Sequence, residues 1–397
     1  MRLQLDDRLV LWLAAASGMS LEAMAIRFIH TGDWHIAKPF RRFEEEKAAL
    51  LRDQRQRIPE RIGELARGER AGHVLVAGDI FDTALPADAS LRRLAARLGQ
   101  FPEIQWHLLP GNHDPATPNG LWRRFEELGP PENVRVYHEP AVATLGEGAE
   151  LLASPLRARH VARDPTAWMD DRETRPGVIR VGLAHGAVQG FGSAGEAGVL
   201  IDPRRAETAR LDYLALGDWH GTREIGPRTW YAGTPEPDQF PANEPGFALA
   251  VEIEATAAPP RVTRHRTARF TWRRCVLEGD VAARLAAIEA ELVAAGTAAA
   301  DQLLSIACAG RVSLEEEAGI RAAVERIADL VFHVEARLAD LLIDTAQAPG
   351  ELFDDAMMRA VAARLIQRIT DEGRGDAVAG RALRLLHEMA GAAGRRG

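Results

Sequence analysis

Lysine is almost missing from this 397-residue chain: only Lys38 and Lys47 occur, and arginine carries the remaining positive charge. Arginine is the better planar fork for phosphate, but the abundant alanine beside it points first to a compositional bias. Positive charge is also outnumbered. The formal net charge of -8 excludes a protein that coats nucleic acid through its overall charge. A nuclease with local basic groups stays open, because exposed charges are screened within about 10 Å at ordinary salt. Cysteine is scarce as well. Cys275 and Cys308 lie in no CxxC and near no motif, which excludes a disulfide framework and a thiolate metal site and fits a reducing compartment.

Long apolar runs are lacking too. Leu9 to Ala16 is apolar but far short of the roughly 20 residues that span a bilayer. Ala23-Met24-Ala25 resembles a signal cleavage site, yet Asp6 and Asp7 cancel Arg2 and Arg8, so the charged leader of a signal peptide is missing. Residues 1–24 read better as an upstream start-site extension or a small appended helix, and the expected location is the cytoplasm.

What is present is an ordinary globular composition, 46% hydrophobic and 27% charged, with length for a large domain and a smaller one. From Ala25 the pattern is α/β: short apolar strands ending in polar turns, with helices between several of them. Strands are expected at Ile26–His30, His73–Ala77, Ile104–Leu109, Ile179–Ala184, Tyr213–Leu216 and Phe247–Ile253. Helices are expected from Phe43 to Arg67, interrupted near Pro59, and from Asp88 to Leu98. A second α/β unit follows: strand Phe270–Leu277, helix Val281–Ala295, strand Gln302–Ala309, helix Leu314–Leu330 and strand Val331–Leu338. The tail is helical in pattern and broken at Gly373-Arg374-Gly375. The expected boundaries are 1–24 (extension), 25–268 (catalytic domain), 269–345 (α/β capping unit with DNA contacts) and 346–397 (helical tail).

The chemistry gathers just after the apolar strands, where strand ends can converge on one point. In order come Asp33 with His35, Asp79, Asn112 with His113, His185, and Asp218 with His220. Carboxylate, imidazole and carboxamide donors suit manganese, magnesium, iron or zinc. Asp-x-His on extended backbone puts both side chains on one face. Gly32, Gly78, Gly111 and Gly217 precede the ligands and allow tight turns. Any one of these motifs alone is ordinarily a solvated turn; five in fixed order, each closing a strand, are a site. The tetrapeptide Gly-Asp-Trp-His occurs twice, at 32–35 and 217–220.

Gly32-Asp33-Trp34-His35, Gly78-Asp79-Ile80-Phe81-Asp82, Gly111-Asn112-His113-Asp114, His185-Gly186 and Gly217-Asp218-Trp219-His220 together resemble the motif series of the calcineurin-like metallophosphoesterase superfamily. The wording between them (FIHTGDWHIAKPF, VLVAGDIFDT, HLLPGNHDP, YLALGDWHG, WYAGTPEP) looks like the SbcD-type DNA repair exonuclease branch. The resemblance implies a four-layer α/β/β/α sandwich and two divalent ions, manganese first, with magnesium, iron(II) or zinc as alternatives. It places Asp33, His35, Asp79 and His220 on the first ion, and Asp79, Asn112, His185 and Asp218 on the second. By the resemblance His113 is not a ligand; it is the candidate proton donor to the leaving oxygen, its ring oriented by Asp114, with a structural histidine supporting the ligand beside it as the alternative. Asp218 departs from the family pattern, which usually has histidine there.

Arg41, Arg123 and Arg124 flank the motifs. Arg269 and Arg273 lie in the segment RHRTARFTWRR, where arginine alternates with Phe270 and Trp272 as in strands that grip phosphates and stack on unpaired bases. These five arginines are the expected substrate contacts, with solvated strand faces as the plainer alternative. Three functions follow: a DNA exo- or endonuclease subunit acting with an SbcC-like coiled-coil ATPase; a phosphodiesterase or phosphatase for a small molecule or phosphoprotein; or a scaffold that kept only the fold. The tail carries Leu352, Phe353, Met357, Val361, Leu365 and Ile369, then Val378, Leu383, Leu386 and Met389, at helical spacing. It would pack on its own domain or dock on the ATPase. A homodimer is also open.

Overall fold

The computed structural model describes residues 25–191, 198–240, 243–344, 355–371 and 377–394, so the expected extension 1–24, Leu352, Phe353 and the break at 373–375 lie outside the described residues. The chain divides into two compact units, the first ending at Arg269 and the second beginning at Phe270 and taking in Asp238 to Phe240.

In the first unit two six-stranded sheets lie face to face. One runs in the order Arg261–Arg266, Phe247–Ile253, Ile26–Thr31, His73–Val76, Gln105–Leu108, Val134–Val136. The other runs Arg223–Gly226, Thr229–Tyr231, Tyr213–Gly217, Ile179–His185, Ala149–Ser154, Ala141–Thr144. The strands His-Val-Leu-Val and Gln-Trp-His-Leu are apolar on both faces because both faces are covered. Leu75, Ala77 and Leu109 point inward with Ile26 and Phe28 against Leu151, Val181, Leu183 and Tyr213 of the second sheet. Val74, Val76, Trp106 and Leu108 point outward, where Ile58, Ile62, Leu91, Leu94, Trp122 and Phe125 cover them from three helices. Each fully buried large side chain of this kind contributes about 1.5–3 kcal/mol. The outer face of the second sheet is covered more thinly. The four-residue helix Arg205–Thr208, the turn Ala167–Met169 and their connections supply Ala206, Ala209, Leu211 and Met169 against Leu152, Ala184, Leu214 and Leu216. The result is the expected α/β/β/α sandwich.

The long helix expected from Phe43 is two helices, Glu45–Gln56 and Ile58–Gly68. Arg57 joins them, and Pro59 falls in the first turn of the second, where its missing N–H costs no hydrogen bond.

The second unit is a parallel three-stranded sheet, Thr271–Glu278, Gln302–Val312 and His333–Ile343, crossed by helices Val281–Ala295 and Leu314–Leu330. Ser313 and Glu316 form a reciprocal cap at the start of the latter. The tail helices Ala356–Asp371 and Ala377–Gly394 pack on this core through buried Ala362 and Leu383, with Leu365, Ile366, Ile369 and Leu386 partly buried beside them. Their inner faces therefore serve their own unit, while Met357, Val378, Leu385 and Met389 remain exposed. No helix of the described residues is long and apolar enough to cross a membrane.

Between the sheets of the first unit, His30 is fully buried. Its Nε2 lies 3.1 Å from the Leu216 carbonyl, which can only accept, so Nδ1 takes the Tyr213 hydroxyl proton at 3.0 Å. The neutral ring is fully satisfied. Burial pushes its pKa from 6.5 down to about 3, against a smaller opposing effect of the Leu216 bond. The unfolded chain thus takes up a proton below pH 6.5 that the fold refuses. The stability from His30 is full above pH 6.5 and is lost, at about 1.4 kcal/mol per pH unit, as pH falls toward 3. His30→Gln retains a donor and an acceptor without titrating. Urea unfolding of the metal-free protein at pH 7 and pH 4 should show a shallower acid loss for the variant, and an equal loss would refute the assignment.

Candidate metal centre

Parallel strands of both sheets end at one edge, and the expected ligands sit on the turns that leave them. Asp33 and His35 follow Ile26–Thr31, Asp79 follows His73–Val76, and Asn112 and His113 follow Gln105–Leu108. His185 closes Ile179–His185, and Asp218 and His220 follow Tyr213–Gly217. The turns are tied together by backbone bonds: Asp33 N–H to Gly78 O (3.0 Å), His35 N–H to Asp79 O (2.9 Å) and Gly186 N–H to Gly217 O (3.1 Å). Asp33, His35, Asp79 and Asp218 all adopt positive φ, at 52°, 44°, 53° and 102°. L-residues hold that conformation only where the surroundings over-determine it, commonly at functional sites.

The side chains converge. His35 Nε2 and His220 Nε2 lie 3.2 Å apart. His185 Nε2 is 2.7 Å from Asn112 Oδ1, 3.5 Å from Asp79 Oδ2 and 3.9 Å from Asp218 Oδ1. Asp33, His35 and His220 form one close group of donor atoms, and Asp33, Asp79 and His185 another. The amide N–H of Asp218 donates to both carboxylate oxygens of Asp33, at 3.1 and 3.3 Å. His185 reaches across the sandwich: its Nδ1 donates to Ala77 O at 2.8 Å, which turns Nε2 toward three oxygens. Acceptors in such array need a cation between them. Asn112 Nδ2, buried, makes no hydrogen bond among the described residues, so its carboxamide is held by its oxygen side. The donor set fits divalent ions.

The electrostatics agree. Burial raises the Asp33 pKa to about 6, with His220 and His185 opposing and Asp79 adding to the rise. Burial acts upward on Asp79 too, but His185, His35 and His113 with its amide N–H hold that carboxyl below its ordinary range. Burial acts downward on His185, and Asp79, Asp33 and Asp218 outweigh it to lift the ring to about 9. Buried carboxylates gathered in this way demand compensating positive charge.

Two expectations need correction, and the positions of the expected substrate arginines follow them. Asp114 does not orient His113. Its two carboxylate oxygens accept the amides of Gly111 (2.7 Å) and Phe81 (3.0 Å), locking two ligand-bearing turns together, and the His113 Nδ1 donates instead to Asp82 O at 3.1 Å. Phe270 and Trp272 are core residues, not a stacking surface: both are buried, against Phe332 and Phe240. Several arginines are already engaged. Arg273 forks onto Glu291, Arg124 pairs with Asp88 and Pro86 O, and Arg123 lies along Glu126 and Glu127. Arg41 is exposed, and the Arg269 amide is bound to Glu236.

Sequence reasoning also passed over two residues. Asp82, the last residue of its motif, places Oδ1 3.4 Å from His35 Nδ1 and 3.6 Å from Lys38 Nζ. Arg55 is fully buried and binds His35 O, Glu236 O and Thr234 Oγ1, while the Thr234 amide binds His220 O at 3.0 Å. The signal was present, since Arg55 interrupts the apolar helical spacing Ala48, Leu51, Ile58.

Asp218→Asn and Asp218→His probe the residue that departs from the family pattern. A carboxylate on the ion predicts that Asn weakens one of two manganese sites in calorimetry and that His restores it with preference shifted from manganese toward zinc. Two unaltered sites in Asp218→Asn would exclude direct ligation.

A sequence model of the calcineurin-like phosphoesterase family matches residues 26–222. The D subunit of nuclease SbcCD from Rhodobacter capsulatus is 37% identical over 97 residues, which are 23% of this chain and 22% of that protein. The chain thus matches less than a quarter of the length of this curated relative. A crystal structure of TT1561 from Thermus thermophilus is matched over 62% of this chain and all of that one, at 10% identity and a TM-score of 0.39. The match over 26–222 contains every turn of the centre, and the chain belongs to the calcineurin-like phosphoesterase family.

Proposed function

We propose that this chain is a DNA nuclease subunit of the SbcD type, cleaving phosphodiesters in the cytoplasm beside a coiled-coil ATPase. The observation that carries the reading is the convergence of seven donor side chains from both sheets, in a chain similar in part to the D subunit of an SbcCD nuclease. Asp33, His35, Asp79 and His220 would hold one divalent ion, and Asp79, Asn112, His185 and Asp218 a second, manganese being the first choice. Such ions, when bound, supply Lewis acidity and an activated water. His113 is the group left to handle a proton. Its Nδ1–H is committed to Asp82 O, so Nε2 is the atom at which a proton for the leaving oxygen would be held. The exposed apolar residues of the tail helices are the surface offered to the ATPase.

The test is manganese-dependent shortening of end-labelled duplex DNA, with bis-p-nitrophenyl phosphate as control. His113→Ala should lower turnover on both by about 10²–10⁴, the usual worth of a general acid, with manganese stoichiometry unchanged in calorimetry. Full turnover in that variant would remove the proton-donor role. Hydrolysis of the small ester with intact duplex would remove the nuclease reading.

A further inference from the structure

The repeated tetrapeptide puts its two tryptophans in opposite settings. Trp34 is fully buried, its Nε1–H donated to Thr31 Oγ1 at 3.0 Å and its ring edge-on to Trp106. Trp219, between Asp218 and His220, is only partly buried, and its indole N–H makes no hydrogen bond among the described residues. Trp106, like Trp34, is fully buried, whereas the Trp219 ring is partly open. Trp219 tops a fixed aromatic stack. Its ring meets Phe191 at 5.3 Å and 67°, and Phe191 lies over Tyr231 at 6.3 Å and 22°. Tyr231 is buried and immobilised, its hydroxyl donating to Gly186 O at 2.8 Å and accepting the Val188 amide at 2.9 Å. The guanidinium of Arg223, an exposed residue, sits 5.6 Å over the Phe191 ring.

We infer that Trp219 and Phe191 form a stacking platform for an unpaired nucleobase whose own or neighbouring phosphate lies at the metal centre. A partly buried aromatic pair with a rigid floor offers a π-face at little entropic cost, and every nucleobase has a π-face to match. Arg223 supplies the cation that the backbone of such a strand requires. The immediate chain neighbours of Trp219, Asp218 and His220, are both candidate ligands of that centre. The platform rests on the phosphodiesterase reading and narrows its substrate to a single-stranded or frayed end.

The experiment compares thymidine 5′-(p-nitrophenyl phosphate) with methyl p-nitrophenyl phosphate, which share the same leaving group and differ in the base. The wild-type protein should prefer the nucleoside ester in kcat/KM by roughly tenfold or more, within the range of base–aromatic stacking. Trp219→Ala should bring the ratio near one, and Trp219→Phe should keep most of it. Because the comparison is a ratio, a loss common to both esters cancels. Should Trp219→Ala be inactive, Phe191→Ala must lower the ratio, and quenching of tryptophan fluorescence by oligo(dT) in EDTA must be weaker in Trp219→Phe than in wild type. An unchanged ratio in the alanine variants, or no wild-type preference, overturns the platform. Shortened duplex with an unchanged ratio leaves the nuclease reading standing and removes the platform; a collapsed ratio with intact duplex does the reverse.

Discussion

Gly217→Ala should cost the protein one metal site while both sheets still form. A methyl group at 217 would fall well inside van der Waals contact of the Ala77 carbonyl oxygen and 2.9 Å from His185 Nδ1. Those are the two atoms whose 2.8 Å hydrogen bond crosses the sandwich and fixes the tautomer of His185. Neither can retreat. Ala77 continues the strand His73–Val76 into the turn of Asp79, and His185 is fully buried. Overpacking of this sort costs about 1–3 kcal/mol, and the lost hydrogen bond about one more. The expected result is a lowered melting temperature, one manganese site instead of two in calorimetry, and at least a hundredfold loss of turnover on bis-p-nitrophenyl phosphate. Gly226→Ala is the matched control, since a methyl group there meets nothing within 4 Å at an ordinary φ. Two intact manganese sites in Gly217→Ala would show that the turn has slack the structure does not suggest.

That glycine marks where sequence reading stopped. Gly217 was legible as the turn before Asp218, because an apolar strand, a glycine and an acid lie in one short window. Its reason for being glycine was not, since Ala77 is about 140 residues away and the contact exists only once two sheets face each other. The same divide separates the other residues. The ligand turns were readable locally, as strands covered on both faces run straight into them. Asp114 was readable as part of a motif, but its partners, the amides of Gly111 and Phe81, depend on how two turns meet. Arginine in an exposed-looking strand and aromatics beside it read as a nucleic-acid surface. Only the packing of Phe270 on Phe332 and Trp272 on Phe240 shows them to be core. Aromatic residues carry both meanings, and burial decides between them.

Asp79→Asn should abolish hydrolysis of every substrate and leave the metal-free protein no less stable than wild type. Asp79 stands where both halves of the centre meet. Its Oδ2 lies 3.5 Å from His185 Nε2, at the end of a strand of the second sheet, and 4.0 Å from His35 Nε2, beyond a strand of the first. Its Oδ1 accepts the His113 amide at 2.9 Å. An amide of the same shape keeps the packing but removes the charge that two cations would share, so both affinities fall together. Without metal the balance runs the other way. Burial first, and then the negative charge of Asp79, push the Asp33 and Asp114 carboxyls up. Neutralising position 79 therefore relieves a crowded anionic site, at the expense of its attraction for His185 and His35. Thermal melts with and without manganese separate these effects. An ion at a hundred times its Kd stabilises the fold by about 2.7 kcal/mol, and two such ions by roughly twice that. Wild type should melt several degrees higher in manganese than in EDTA, Asp79→Asn should show almost no difference, and Asp79→Ala should behave likewise with a lower baseline, its His113 amide left without an acceptor. A manganese-induced rise in Asp79→Asn as large as in wild type would show that Asp79 bridges nothing, and the first ion would then have to be held by Asp33, His35 and His220 alone.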